Sequence, residues 1–315
     1  MTLPLLAVAA GLALPAGAMA PPSSAVSIAP RTSLVGFGSV SGDGLGISIL
    51  SRRIERESLR SGSSAAPNPD RQRQLSWRST LLLDYRVARR TTLILAVPHV
   101  YNSAASDVLP RQTVNSLGDI ALYGKYAFYQ DRSVRPTREL SGLAGVKLPS
   151  GSAELRDAAG NRLDAPLQPG SGSTDFIVGA AASWGLPLAT VYGDFTYKYN
   201  TRTAYTFGDS WGGNLGAAAP LKPAPWLSLT GEVNVESYER DHSLEAGSAA
   251  VLPGGAVRDT GGQYVFLTPG ILVRPMKGLA VSLGVQLPVY QHLNGTQLAS
   301  GPNLNLGLYT RLGGR

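Results

Sequence analysis

The chain has 315 residues with a formal net charge of +7, 43% hydrophobic and 16% charged residues, 37 glycines, 22 prolines and no cysteine. Without cysteine there are no disulfides, thiolate metal centres or cysteine nucleophiles, which suits a chain that crosses an oxidising compartment unfolded. The basic residues are scattered among carboxylates with no lysine- or arginine-rich run, which argues against nucleic acid as a partner. Beyond the N-terminus no stretch reaches the ~20 apolar residues of a spanning helix, so any membrane crossing is by strands.

Residues 1–20 read as a secretory signal peptide: an apolar core from Leu3 to Leu14, then small residues around Ala16 to Ala20, with cleavage after Ala18 or Ala20. The opening Met-Thr-Leu-Pro lacks the positive charge such a segment carries, so a start upstream of Met1 is expected. Residues 21–43 are a Pro/Ser-rich, then Gly-rich leader, either a tail in the periplasm or a plug for a lumen.

From residue 44 to 315 one pattern repeats: segments of alternating polarity bounded by Gly, Pro, Asn or Asp. Twelve are predicted as strands, at 44–57, 73–87, 91–103, 117–130, 138–149, 173–185, 188–201, 205–220, 226–240, 262–275, 278–292 and 302–312. Their connections alternate in length. Those near 88–90, 133–137, 186–187, 220–225 and 275–278 are short, whereas 58–72, 104–116, 150–172 and 241–261 are long, with shorter members near 201–205 and 294–301. A soluble sandwich has no reason to gather its long loops at one end. An all-β, antiparallel transmembrane barrel of about 12 strands does, with short periplasmic turns and long extracellular loops, and places the chain in the bacterial outer membrane.

Alternation assigns faces. Leu279, Val281, Leu283, Val285, Leu287 and Val289 oppose Ser282, Gly284, Gln286 and Tyr290; Leu227, Leu229, Val233 and Val235 oppose Ser228, Thr230, Glu232, Asn234 and Glu236; Ile120, Leu122, Tyr126 and Phe128 oppose Asp119, Tyr123 and Lys125. The apolar sides face lipid. Two aromatic girdles are expected, Tyr85, Phe128, Tyr129, Trp184 and Trp226 at the short-turn end and Trp77, Tyr101, Tyr199 and Tyr238 at the other; Tyr192, Phe195 and Trp211 are less terminal. The same alternation puts Arg78, Arg86, Lys125, Lys147 and Lys198 in the lumen with Asp84, Asp119, Asp175, Asp194, Glu232 and Glu236. Such a set is either a hydrated, weakly selective path or a paired network that fills the interior.

Chemistry is sparse. The three histidines, His99, His242 and His292, lack a recognisable nucleophile and acid; Asp241-His242 opens a long loop, where an acid–base pair could sit, without a second carboxylate pair. No cluster has metal-ligand spacing, although Asp209, Asp241 and Glu245 could hold calcium loosely. Neither an enzyme nor a cofactor is therefore expected. Arg52, Arg53, Arg56, Arg60, Arg71, Arg73 and Arg78 flank the first long loop, where lipopolysaccharide phosphates lie, but Glu55, Glu57 and Asp70 interleave and local salt bridges are the alternative.

Several strings carry a family resemblance: Leu117-Gly118-Asp119-Ile120, Gly145-Val146-Lys147-Leu148-Pro149-Ser150-Gly151, Leu167-Gln168-Pro169-Gly170-Ser171-Gly172-Ser173, Phe207-Gly208-Asp209, Gly231-Glu232, Thr268-Pro269-Gly270, the run Val285 to Gln291, and Asn294-Gly295. The chain resembles the outer-membrane transporter-like family named for a Putative MetA-pathway of phenol degradation, over most of residues 115 to 312. The resemblance implies a barrel for passive uptake of small, aromatic or otherwise hydrophobic solutes, and no catalytic residues. The alternative is a non-conducting structural or adhesive barrel whose long loops bind a partner. Physically the strings are turn and bulge chemistry, and kinks at Pro149, Pro269 and Pro288 could open a lateral gap or shape a pocket. The last strand, Asn305 to Leu312, resembles the C-terminal signal read by the barrel-insertion machinery, with Leu312 where an aromatic residue is usual.

Overall fold

The alternating segments become strands because β-branched and aromatic residues on one side and polar ones on the other fit a sheet between two different environments. A computed structural model describes residues 44–108, 110–131, 137–157, 160–201, 203–244, 251–276 and 278–312. The expected signal peptide and leader lie outside the described residues, as does Glu245. Twelve long strands run in chain order: β1 Leu45–Arg56, β2 Arg73–Ala88, β3 Thr91–Ala105, β4 Ala121–Gln130, β5 Arg138–Lys147, β6 Asp175–Gly185, β7 Thr190–Asn200, β8 Ser210–Leu221, β9 Ala224–Tyr238, β10 Gly262–Met276, β11 Leu279–Ala299 and β12 Asn303–Leu312. Each pairs antiparallel with the next, and β1 pairs with β12 from Leu45↔Leu312 to Arg53↔Leu304, which closes the sheet and leaves no free edge in its wall.

Three strands depart from the predicted spans for local reasons. The fourth starts at Ala121 instead of 117, and a short strand Gln112–Leu117 forms inside the expected 104–116 loop: it pairs with the outer half of β3, Ala121 to Tyr126 with its inner half, and 118–120 interrupt the ladder beside Pro98, which has no N–H to give. The eighth strand starts later because Tyr205–Thr206 pairs instead with His242–Ser243 in a separate outer ribbon. The eleventh is longer, since its outer part leaves the barrel to pair with Ser58–Gly62.

The outer wall is apolar. Leu229, Leu215, Leu267, Leu283 and Leu306 are exposed in mid-strand, and no aqueous protein sustains such a belt. A closed, lipid-facing strand wall pairs its backbone from strand to strand with no open edge, as a bilayer demands, and identifies an outer-membrane barrel. Tyr85, Phe128, Tyr129, Trp184 and Trp226 are exposed near the short turns, with Arg138 over the Trp184 ring at 4.4 Å; Trp77 and Tyr199 are exposed toward the long loops. Two expected positions are corrected. Tyr238 is buried inside the barrel, because it continues the inward parity of Glu232, Asn234 and Glu236. Tyr290 faces lipid, because a bulge pairs Phe266 with Pro288 but Val265 with Tyr290 and so turns Val289 and Tyr290 outward together.

Candidate functional site: the lumen

Inward side chains divide the lumen into two unlike halves. From β1 backward round the wall to β7 polar inward side chains are joined in one belt, with the buried Tyr264 and Phe266 toward the long loops and Leu272 and Tyr309 toward the short turns. Arg52 donates to Gln286 Oε1 at 2.7 Å and to Glu236 Oε1 at 3.3 Å. Gln286 donates to Asn234 Oδ1 at 3.2 Å, Asn234 to Asn214 Oδ1 at 2.7 Å and Asn214 to Asp194 Oδ1 at 2.7 Å. Thr268 also donates to Asn234, and Tyr192 to Glu232 at 2.8 Å. Buried amides and carboxylates persist only when bonded in this way, so the belt holds its members in one arrangement. On the other half, Leu82, Ile94, Ala96, Ala121, Tyr123 and Ile177 of β2, β3, β4 and β6 pack together with Leu50 and Leu143 into an apolar strip.

Charge pairs stand above and below this level. Toward the short turns, Arg311 of β12 reaches Asp84 of β2 at 2.7 Å across the intervening strand. That contact requires Gly46 on β1, where a Cβ would lie 2.0 Å from Asp84 Oδ1. Lys125 meets Glu139 at 2.5 Å on the neighbouring strand. Toward the long loops, Lys147 contacts Asp119 and Asp175, each at 2.7 Å, and Lys198 lies 4.0 Å from Asp175. Arg78 and Arg86 of β2 are inward and half-buried.

Lys147 and Asp119 also fasten the loop of residues 148–174. The Asp119 carboxylate accepts from Gly151 N at 3.0 Å and from Ser171 N at 2.9 Å, Lys147 donates to Ser171 Oγ and to Ser173 O, and Ser150 Oγ accepts from Ile120 N at 2.8 Å. Three of the strings quoted above thus meet at one point. Their glycines are needed there: a Cβ on Gly170 would sit 2.2 Å from Gly151 O. Held so, the loop turns inward. Leu163 and Leu167 pack on Ala104 and Val114, and Asn102 of β3 reaches the Leu167 carbonyl at 3.4 Å.

A second outer cluster surrounds Asp241, which accepts from Gly208 N at 2.8 Å and from Tyr205 Oη at 2.7 Å. Burial pushes its carboxyl up to about 6 against the lowering effect of those donors, and burial beside Asp241 raises the Tyr205 phenol. Asp209 is likewise taken up by Tyr197 Oη and Asn200 N, both at 2.8 Å, so these carboxylates serve loop structure. A Ser63–His292 contact of 3.0 Å, which sequence reasoning missed, lies on the exposed outer surface.

Of the seven arginines flanking the first loop, Arg52, Arg56 and Arg78 point into the lumen by strand parity, as expected for Arg78, so Arg52 and Arg56 are not placed on the outer rim where lipopolysaccharide contacts were considered. Arg53 pairs with Glu55 and Arg71 with Asp107 at 2.6 Å. Sequence reasoning also missed Glu139 and Arg311; the alternation of Glu139 with Leu140 and Ser141 was the available signal for the first.

The family described as Putative MetA-pathway of phenol degradation matches residues 73–287. No curated protein matches the chain. An outer membrane channel from Pseudomonas putida F1 superimposes with a TM-score of 0.65 at 14% identity, covering 86% of this chain and 96% of that one. The translocator domain of the autotransporter NalP from Neisseria meningitidis gives a TM-score of 0.48 at 12% identity, covering 89% of this chain and 93% of that one.

Proposed function

The chain belongs to the Putative MetA-pathway of phenol degradation family, and from the lumen it encloses we propose a narrow channel for passive passage of small solutes across the outer membrane. The two-faced lumen carries this reading. A belt of amides and carboxylates opposite an apolar strip suits a solute with one apolar and one polar side, such as a substituted aromatic ring. The inturned 148–174 loop narrows the outer mouth. β1 begins at the short-turn opening, and a plug supplied by the preceding leader would act from that side. At the outer rim, exposed Arg53 and Arg73 suit lipopolysaccharide phosphates, and the last strand suits the insertion machinery.

Planar-bilayer recording tests the channel. Discrete conductance steps are expected, larger when residues 21–41 are deleted and blocked by an aromatic solute. A barrel silent in both forms sinks the reading and favours the structural or adhesive one.

A lateral exit for apolar cargo is a second reading, favoured by one observation. The β10–β11 ladder has no pairs between Leu267↔Leu287 and Gly270↔Gly284, next to Pro269 and the bulge at Pro288. Replacing Pro288 by Ala removes the proline at the bulge beside that gap and supplies an N–H next to it. It is expected to slow permeation of a neutral monoaromatic relative to a small sugar in proteoliposomes, and an unchanged ratio removes the lateral route.

A further inference from the structure

Near the long-loop end of the lumen, a buried cation with two unbonded nitrogens faces a buried amide with no hydrogen-bond partner. Arg56 ends β1 with the inward parity of Arg52 and is 1% exposed; among the described residues no acceptor reaches its Nε or Nη1. Directly opposite in the β1–β2 ladder stands Gln74, 3% exposed, neither of whose amide atoms has a partner among those residues. The carboxylate in reach, Glu236, is engaged by Arg52 at 3.3 Å and by Tyr238 Oη at 2.6 Å. A guanidinium taken out of water without an acceptor is strongly disfavoured, so an acceptor belongs at this place.

The surroundings indicate what else that acceptor carries. Tyr238 and Tyr264 meet edge to face at 6.0 Å, Tyr264 and Phe266 stack at 5.8 Å with 5° between planes, and both tyrosines lie within electrostatic reach of Arg56. We propose that this cluster binds a small aromatic carboxylate in transit, a reading that rests on the channel function above. The carboxylate accepts from Arg56 and Gln74 Nε2, and the ring lies against Tyr264 and Phe266. A hydroxyl on the ring has Gln74 Oε1 to donate to. Leu293 and Ala299, from the outer part of β11, cover the rings, so loading requires that hairpin to lift.

The test is calorimetric titration of the full mature chain in detergent with benzoate, benzyl alcohol and acetate, alongside bilayer recording of the same preparation. Benzoate is expected to bind at least about tenfold more tightly than either half-ligand, and at least about tenfold more weakly to R56Q than to wild type, with a smaller loss in Q74A. Where R56Q is not heat-modifiable on gels, Q74A and F266L carry the comparison. Equal benzoate binding by wild type and variants, or a conducting wild type that binds none, overturns the site and leaves Arg56 to ordered water alone. A silent barrel that binds benzoate through Arg56 upholds the site while rejecting the channel.

Discussion

Replacing Lys147 by Met is expected to release the 148–174 loop and widen the outer mouth. The ammonium stands between Asp119 and Asp175 at 2.7 Å from each, and Asp175 is fully buried, with Lys198 no nearer than 4.0 Å. Removing one partner of a buried ion pair costs about 3–5 kcal/mol because the remaining charge is left uncompensated. Here one substitution leaves two carboxylates in that state. Asp119 is also the acceptor for Gly151 N and Ser171 N, so any adjustment it makes to regain water pulls on both ends of the loop. Arg156 and Arg162 lie within the loop, their guanidinia bonded to Gly160 O and Ala153 O. Trypsin should therefore cut K147M after these residues at a dose that spares wild type, and single-channel steps should grow. Changing Asp119 to Asn in the same chain removes one stranded charge and should recover part of the lost stability. A K147M barrel as trypsin-resistant as wild type would mean that the loop is held by its apolar contacts through Leu163 and Leu167 instead.

Strand order, spans and faces were legible because each depends on short-range patterns. A parity of two is visible within six residues, as in Leu229, Glu232, Val233 and Asn234, and the alternation of short and long connections orients the whole barrel. What escaped depends on register or on a single irregular residue. The inward parity of Asp84 can be read along β2, but its meeting with Arg311 depends on two ladders, β1–β2 and β1–β12, and on a glycine between them. Tyr290 moved to the other face because one bulge reverses parity for every later residue of its strand, and a proline in sequence marks such a bulge without stating its size. Arg52 and Arg56 sit in a run of charges that looks like a solvated loop edge, although the expected strand 44–57 contains both and its parity was the signal that places them inside. The convergence of Asp119, Gly151 and Ser171 brings together residues separated by 32 and 52 positions, a distance at which alternation carries no information.

The outer cluster around Asp241 should loosen as pH rises through about 6. Its carboxyl is raised from an ordinary 3.8 to about 6, first by burial, with Gly208 N, Tyr205 Oη and the Lys198 charge opposing. A carboxyl whose pKa is higher folded than unfolded favours the folded arrangement when protonated. The resulting stabilisation is therefore complete below the unfolded value near 3.8 and is lost as pH climbs through about 6. Over that interval the difference is about 3 kcal/mol at 1.36 kcal/mol per pKa unit, enough to change how firmly the cluster closes. Because Asp241 ties Gly208 and Tyr205 to the start of the 241–261 loop, both outer segments should become more mobile together. The chain has no cysteine, so A204C, at an exposed position of the Tyr205 segment, accepts a single spin label. Its mobility should rise with a midpoint near 6, and D241N, neutral throughout, should abolish the transition. A midpoint that persists in D241N refutes the assignment to Asp241.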